Sequence, residues 1–202
     1  NQNRFVETDI LGGEDPYSAS KSAAEIVIES FAKSYFSYNQ NYPVINVARG
    51  GNIIGGGDWS ENRLFPDYVK SVISNKQLDI RSSSSTRPWQ HVLDLISGYF
   101  SILANILDKK INKYAAWNLG PHEIETYNVE YVLDIISEYW EKPKIKFVEN
   151  NIKETKILTL NSNKAKKLLE WEPSWNTRKS IKMTSDWYKQ FYNDPRQVNK
   201  LS

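Results

Sequence analysis

Apolar positions recur at helical spacing over residues 17–38, where Ala24, Val27, Ile28, Phe31, Ala32 and Tyr35 sit among serines, glutamates and lysines. Residues 1–15 are polar and read as a loop. Behind Pro43, the run Val44-Ile45-Asn46-Val47-Ala48 predicts a short buried strand. A second helix is expected from near Pro66 to Ser74, since proline is tolerated in a first helical turn. Residues 78–81 read as a strand and 82–86 as a polar loop. Ile96, Tyr99, Phe100, Leu103 and Ile106 mark the apolar side of a helix over 92–107, and a strand follows at 114–119. Asn128 is placed to cap a helix over 129–140 that stops before Pro143. Residues 145–148 and 157–160 are strand-like, Ser162 is expected to cap a short helix through Leu169, and a last amphipathic helix covers roughly 180–192. Strands alternating with helices, with no internal repeat, predict an α/β protein rather than a bundle or sandwich.

Composition narrows the function classes. The 202 residues suffice for one domain with a real core or for two small lobes. The net charge is +2 with basic residues scattered, so no nucleic-acid footprint stands out. No apolar run approaches the ~20 residues of a membrane span. Cysteine is absent, which excludes disulfides, Cys-zinc sites and a thiol nucleophile within the chain and fits a cytoplasmic protein. His91 and His122 are the two histidines, too few for a multi-histidine metal site, and no metal is expected. The chain opens on Asn1 and its single methionine is Met183, so we expect a piece of a longer or processed protein.

Three groups of residues suggest chemistry. Tyr17 and Lys21 are four apart at the head of the first helix, so phenol and ammonium share a face. A phenol that titrates near pH ~10 is a poor base, but a fixed cation beside it favours the phenolate. That pairing suits removal of an alcohol proton while its hydride leaves for a nicotinamide. In a chain with 12 tyrosines, such spacing also arises by accident, and a surface tyrosine beside a solvated lysine is an equal reading of the isolated pair. The segment 50–57 holds five of the nine glycines and follows a strand. It is neither G-x-G-x-x-G leading into a helix nor a P-loop. Its glycines let backbone approach a ligand with Asn52 presenting an amide, or simply make a permissive turn. Arg63, Arg81 and Arg87 lie in loops or at element ends, where a guanidinium fork can grip a diphosphate or merely face solvent. In Arg87-Pro88-Trp89-Gln90-His91, Trp89 reads as core and His91 as a structural hydrogen-bonding residue.

These blocks resemble, in order, those of the extended short-chain dehydrogenase/reductases, the NAD-dependent epimerase/dehydratase family. The resemblance is carried by Asp15-Pro16-Tyr17-Ser18-Ala19-Ser20-Lys21, by Gly51-Asn52-Ile53-Ile54-Gly55-Gly56-Gly57-Asp58-Trp59 and by Arg63-Leu64-Phe65-Pro66-Asp67. Arg87-Pro88-Trp89-Gln90-His91-Val92, Ser97-Gly98-Tyr99 and Trp117-Asn118-Leu119-Gly120-Pro121 make it most similar to the CDP-glucose 4,6-dehydratases. The tail agrees, with Ser162-Asn163-Lys164-Ala165-Lys166, Trp171-Glu172-Pro173 and Trp187-Tyr188.

The resemblance implies the C-terminal part of a Rossmann-type parallel sheet plus a small mixed α/β substrate-binding lobe. Residues 1–50 would be the remainder of the NAD-binding domain. Residues 51–202 would be mainly the nucleotide-sugar lobe, with about 89–120 returning to the Rossmann sheet. It implies a lyase whose bound NAD oxidises CDP-glucose at C4, eliminates water across C5 and C6 and returns hydride to C6. The product, CDP-4-dehydro-6-deoxyglucose, is an early intermediate for bacterial surface polysaccharide. By resemblance Tyr17 is the C4 base, and Lys21 lowers its pKa and holds the nicotinamide ribose. Asn52 would face the nucleotide sugar through backbone and amide, Arg63 and Arg87 would bind the CDP portion, and Pro66 would wall the nucleotide pocket. The family's Gly-rich βα turn and its Thr-Asp-Lys segment would lie before residue 1, so the chain alone is not expected to be a competent dehydratase. A homodimer is implied for the full-length protein. Ser82-Ser83 stands where an Asn-Pro pair is expected, and Glu170 where glycine is expected before Trp171. The alternatives are another sugar-nucleotide epimerase or dehydratase, or a non-catalytic sugar-nucleotide-binding remnant.

Overall fold

The computed structural model of the chain describes residues 4–36, 43–122, 127–148 and 157–194. Helix α1 (Pro16–Phe31) starts where Asp15 caps it. The Asp15 carboxylate accepts the Ser18 N–H at 2.9 Å and the Ser18 hydroxyl at 2.5 Å, and these bonds hold its pKa below the ordinary value. Pro16 occupies the first turn, where no N–H is required. The helix runs into a π-helical turn, Ala32–Phe36; the expected continuation to residue 38 lies outside the described residues.

Strand β1 (Asn46–Gly50) is followed after one residue by β2 (Asn52–Ile54). Helix α2 (Leu64–Ser74), β3 (Leu78–Ile80), β4 (Thr86–Arg87) and β5 (Trp89–His91) come next, and β5 passes directly into α3 (Val92–Leu107). The rest comprises β6 (Ala115–Leu119), β7 (Tyr127–Asn128), α4 (Val129–Tyr139), β8 (Ile145–Phe147), α5 (Asn163–Leu169) and α6 (Thr177–Asn193). Three pairs are parallel: β1 with β6, β2 with β5, and β3 with β8. The pair of β4 with β7 is antiparallel.

Two apolar clusters organise these pairs. One gathers Leu95 and Ile102 of α3, Trp117 and Leu119 of β6, Ala165 and Leu169 of α5, and Trp171, with Ala48 and Ile53 packed against it. The other gathers Phe65, Tyr68 and Val69 of α2 with Leu78, Ile80 and Trp89, four residues of α4, and Ile181 and Tyr188 of α6. A polar clasp joins α3 to the segment before α6. The buried Asp94 carboxylate accepts the N–H groups of Ser174 at 2.8 Å and Trp175 at 3.3 Å, while Ser97 accepts the Trp171 indole N–H at 2.9 Å.

The strand and helix expectations hold in outline and fail at particular places. The glycine-rich run is not a continuous loop, since Asn52–Ile54 pairs with Trp89–His91. Thr86 pairs with Asn128 instead of ending a loop, and residues 157–160 contribute only isolated bridges at Ile157 and Leu160. Ser162 precedes α5 without capping it; its hydroxyl accepts the Gly120 N–H at 2.8 Å. Asn176 caps α6, which begins at Thr177.

The largest correction concerns helix faces. Val27, Ile28, Phe31 and Tyr35 are exposed, and α1 buries only Glu25. On α3, Ile96, Tyr99, Phe100 and Leu103 are exposed, whereas Asp94, Leu95, Gly98 and Ile102 are buried. Helical spacing identified an apolar stripe on each helix, but within the described residues most of that stripe is exposed, Ala32 and Ile106 excepted.

Two tests follow from this packing. A Cβ at Gly56 would lie 2.1 Å from the Trp187 indole, inside a cluster where Trp59 meets Trp187, Tyr188, Phe191 and Tyr192. Gly56→Ala should therefore lose about 1–3 kcal/mol of stability in urea denaturation of the full-length protein, while Gly12→Ala, with open space around it, should not. His91 caps α3 with Nδ1 accepting the Leu93 N–H at 3.2 Å, so that nitrogen must be unprotonated. Burial lowers its pKa against the opposing pull of Asp94. The unfolded chain then takes up this proton first, so stability is full above pH ~6.5 and declines as pH falls toward the folded value. His91→Asn, which keeps a capping oxygen, should flatten the fall in melting temperature between about pH 7 and 5.

Candidate active site

The first turns of α1 carry Tyr17 and Lys21 on one face, and Lys21 Nζ lies 5.5 Å from the centre of the Tyr17 ring. The helix that presents them is fastened from beneath. Arg49 of β1 donates from Nε to both Glu25 carboxylate oxygens at 3.0 Å and from Nη2 to Oε1 at 2.5 Å. Its Nη1 also donates to the Glu7 carbonyl at 3.3 Å, and the Glu7 carboxylate accepts the Asn118 N–H of β6 at 2.9 Å. Three segments thus meet at one guanidinium, and Glu7 links a fourth, β6. Burial opposes the charge on Arg49, but hydrogen bonds and attraction from Glu25 outweigh it and raise its pKa. With side chains 21% and 11% exposed, solvent screens this pair weakly. Removing one partner of such a pair costs about 3–5 kcal/mol, because the other is left charged and buried.

A cavity of about 590 Å³ opens beside this helix, lined by Ser18, Lys21 and Ser22 of α1 together with Arg49 and Asn118. Asn118 is fully buried; its Nδ2 donates to the carbonyls of Phe5 at 2.9 Å and Asn161 at 3.3 Å, yet its Oδ1 has no hydrogen-bond partner. A ligand bringing a hydrogen-bond donor, as the carboxamide of a nicotinamide does, fits such a lining.

The remaining predicted positions lie along β2 and the loops after it. Asn52 sits on β2 with its backbone N–H donated to the Pro88 carbonyl at 2.8 Å. That donor is spent on the strand pair. Gly57 takes a positive φ of 81° as the chain turns away, and Asp58 then holds the loop. The Asp58 carboxylate accepts the Ser60 N–H at 3.0 Å and Arg63 Nη1 at 3.2 Å. These bonds overcome burial and keep its pKa low. The Tyr188 hydroxyl donates to the Asp58 carbonyl, and Lys70 to the Trp59 carbonyl at 2.7 Å. Arg63 is exposed just before α2, and Pro66 is buried in its first turn. Arg81 donates to the Asn62 side-chain oxygen. Arg87 is half-buried on β4, beside Tyr127 of β7. Neither Asn52, Arg63, Pro66 nor Arg87 lines the cavity at Lys21. Among the described residues, no group of three His, Asp or Glu could hold a metal, and no helix is long and apolar enough to cross a membrane.

Reasoning from sequence passed over Glu7, Glu25, Arg49 and Asn118. Glu25 carries the same i, i+4 relation to Lys21 that Lys21 carries to Tyr17, and that spacing was the available signal. Nothing local pairs Arg49 with it from 24 residues away.

Comparison with known proteins places the chain in a family. The chain is 36% identical over 190 residues to a CDP-glucose 4,6-dehydratase of Salmonella typhimurium, covering 92% of this chain and 53% of that protein. It is 24% identical over 203 residues to a human dTDP-D-glucose 4,6-dehydratase, covering 97% and 54%. The chain therefore spans about half the length of these relatives. A crystal structure of dTDP-glucose 4,6-dehydratase from Bacillus anthracis in complex with NAD superposes with a TM-score of 0.78 at 24% identity, over 100% of this chain and 60% of that one. A UDP-glucuronic acid 4-epimerase from Bacillus cereus, in complex with UDP-glucuronic acid and NAD, gives 0.80 at 19% identity over 95% and 58%. These likenesses establish the α/β fold as the one these structures share over that length. Residues 1–184 match the GDP-mannose 4,6 dehydratase family, and the chain belongs to it.

Proposed function

We propose that this chain is the C-terminal part of an NAD-dependent lyase that converts CDP-glucose to CDP-4-dehydro-6-deoxyglucose and water. The observation that carries the reading is the Lys21 ammonium, which lies 5.5 Å from the centre of the Tyr17 ring and lines a cavity of about 590 Å³. Bound there, NAD would accept the C4 hydride of the sugar and return it at C6. Lys21 would hold its ribose, while Tyr17, whose ring is exposed, would take the C4 hydroxyl proton. Asn118 would offer its unpartnered Oδ1. No G-x-G-x-x-G leads into a helix within the 202 residues, so most cofactor contacts would come from outside this chain.

Residues 1–50 then belong to the NAD-binding domain, and 51–202 mainly to the nucleotide-sugar lobe, with about 89–120 returning to the cofactor side. The two apolar clusters follow that division in part: α3 and β6 pack with β1 in one, joined by α5, while α2, α4 and α6 form the other together with Trp89. Asn52, Arg63, Pro66 and Arg87 would line the nucleotide-sugar site. The preference for CDP-glucose rests on the likeness to the Salmonella enzyme and on the Arg87–His91 block. The exposed apolar stripes of α1 and α3 support a homodimer of the full-length protein, since each is the kind of surface a second copy would cover. A cytoplasmic role in polysaccharide biosynthesis completes the reading and is consistent with the absence of cysteine.

The full-length gene product, supplied with NAD, should turn over CDP-glucose and discriminate against UDP-glucose. Equal turnover of the two would remove the cytidine assignment, and interconversion of C4 epimers without loss of water would make it an epimerase. Tyr17→Phe should lower kcat at least ~10²-fold while isothermal titration still detects CDP-glucose, because only the proton transfer is lost. Arg87→Ala should do the reverse, raising KM for CDP-glucose with kcat little changed; a fall in kcat alone would contradict a binding role.

A further inference from the structure

We propose that Arg49 is a positioning residue: by binding Glu25 it keeps that carboxylate from capturing the Lys21 ammonium, and so leaves Lys21 over Tyr17. This rests on the roles of Tyr17 and Lys21 proposed above.

The competition is built into the helix. Lys21 and Glu25 are four residues apart on one face of α1, the spacing at which a lysine and a carboxylate reach each other. Elsewhere the molecule makes such pairs readily. Lys182 and Asp186, in the same order along α6, meet at 2.5 Å, and so do Lys33 and Glu29 near the end of α1. Yet Lys21 is found over the Tyr17 ring, and Glu25 is bound to Arg49. Both Glu25 oxygens accept from the guanidinium, and one of them accepts twice. A planar fork can saturate a carboxylate in this way, whereas an ammonium meets it as a point charge. The contrast in burial points the same way. The Lys33–Glu29 side chains are 66% and 36% exposed and water can serve either, but Glu25 is only 11% exposed and must be answered from within the protein. Without Arg49, the nearest cation on its own helix face is Lys21. Arg49 is itself oriented by the Glu7 carbonyl, and Glu7 is tied to the Asn118 N–H, so the strands that wall the cavity set the guanidinium that holds Glu25.

The test compares Arg49→Met, Arg49→Lys and the double variant Glu25→Gln/Arg49→Met in the full-length protein, by crystallography and by NAD titration. In Arg49→Met, Lys21 should swing to within about 4 Å of Glu25, and NAD affinity should fall about tenfold, the loss of one charge-assisted contact. The double variant should return Lys21 to Tyr17 and bring affinity back to within about twofold of wild type, although its melting temperature stays low. Arg49→Lys should give an affinity between wild type and Arg49→Met, because its ammonium keeps a charge at Glu25 without the bidentate fork. If Arg49→Met does not fold, Arg49→Gln, which keeps a hydrogen bond but no charge, takes its place with the same expectation. Lys21 unmoved in the single variant, or equal loss of NAD in single and double variants, would overturn the proposal and leave the pair a purely structural tie. Lys21 moving as expected in a protein whose wild type binds no NAD would instead retire the proposed function and leave the positioning intact.

Discussion

Helix α1 is attached to the rest of the chain by charge rather than by grease. Its single buried residue is a glutamate, and that glutamate is held by Arg49 from the first strand. An amphipathic helix ordinarily docks through its apolar stripe, and burial of that stripe supplies most of its stability. Here the stripe of Val27, Ile28 and Phe31 points outward, so the docking geometry depends on a bidentate fork with fixed directions. A directional contact fixes rotation about the helix axis, which a greasy contact does less well. Rotation is what decides whether Lys21 lines the cavity.

The loop after β2 is built on a different principle. It is held by backbone and ring packing: Gly57 turns it, Asp58 and Lys70 bind it, and Trp59 sits among the rings of α6. Aromatic edge and face contacts there are close enough that glycine is required at position 56. The last helix of the chain thereby shapes a loop more than a hundred residues earlier. Since β5 runs straight into α3, and Asp94 in its first turn binds the segment leading to α6, the two apolar clusters are joined at that corner.

How much was legible in the sequence varied by kind of feature. The helix start signalled by Asn128 is where that side chain caps, because capping is a contact over three residues. Ser162 looked the same, but its hydroxyl is claimed by Gly120 from 42 residues away, a long-range partner that no local pattern reveals. The strand Asn52–Ile54 was hidden because glycines on both sides read as loop, and it exists through pairing with Trp89–His91. The spacing of Tyr17 and Lys21 did predict their meeting, since i, i+4 geometry is a property of the helix alone.

The sequence by itself determined the main helices, the cap at Asn128, the α/β class and the proximity of Tyr17 to Lys21, all set by interactions within about four residues or by the alternation of strand and helix. Only the tertiary structure decided which face of α1 and α3 is buried, which hydroxyl is free to cap, and that Arg49 reaches Glu25. Those outcomes depend on burial and on charges brought together from distant positions, where the cost of an unpaired buried carboxylate outweighs any local preference.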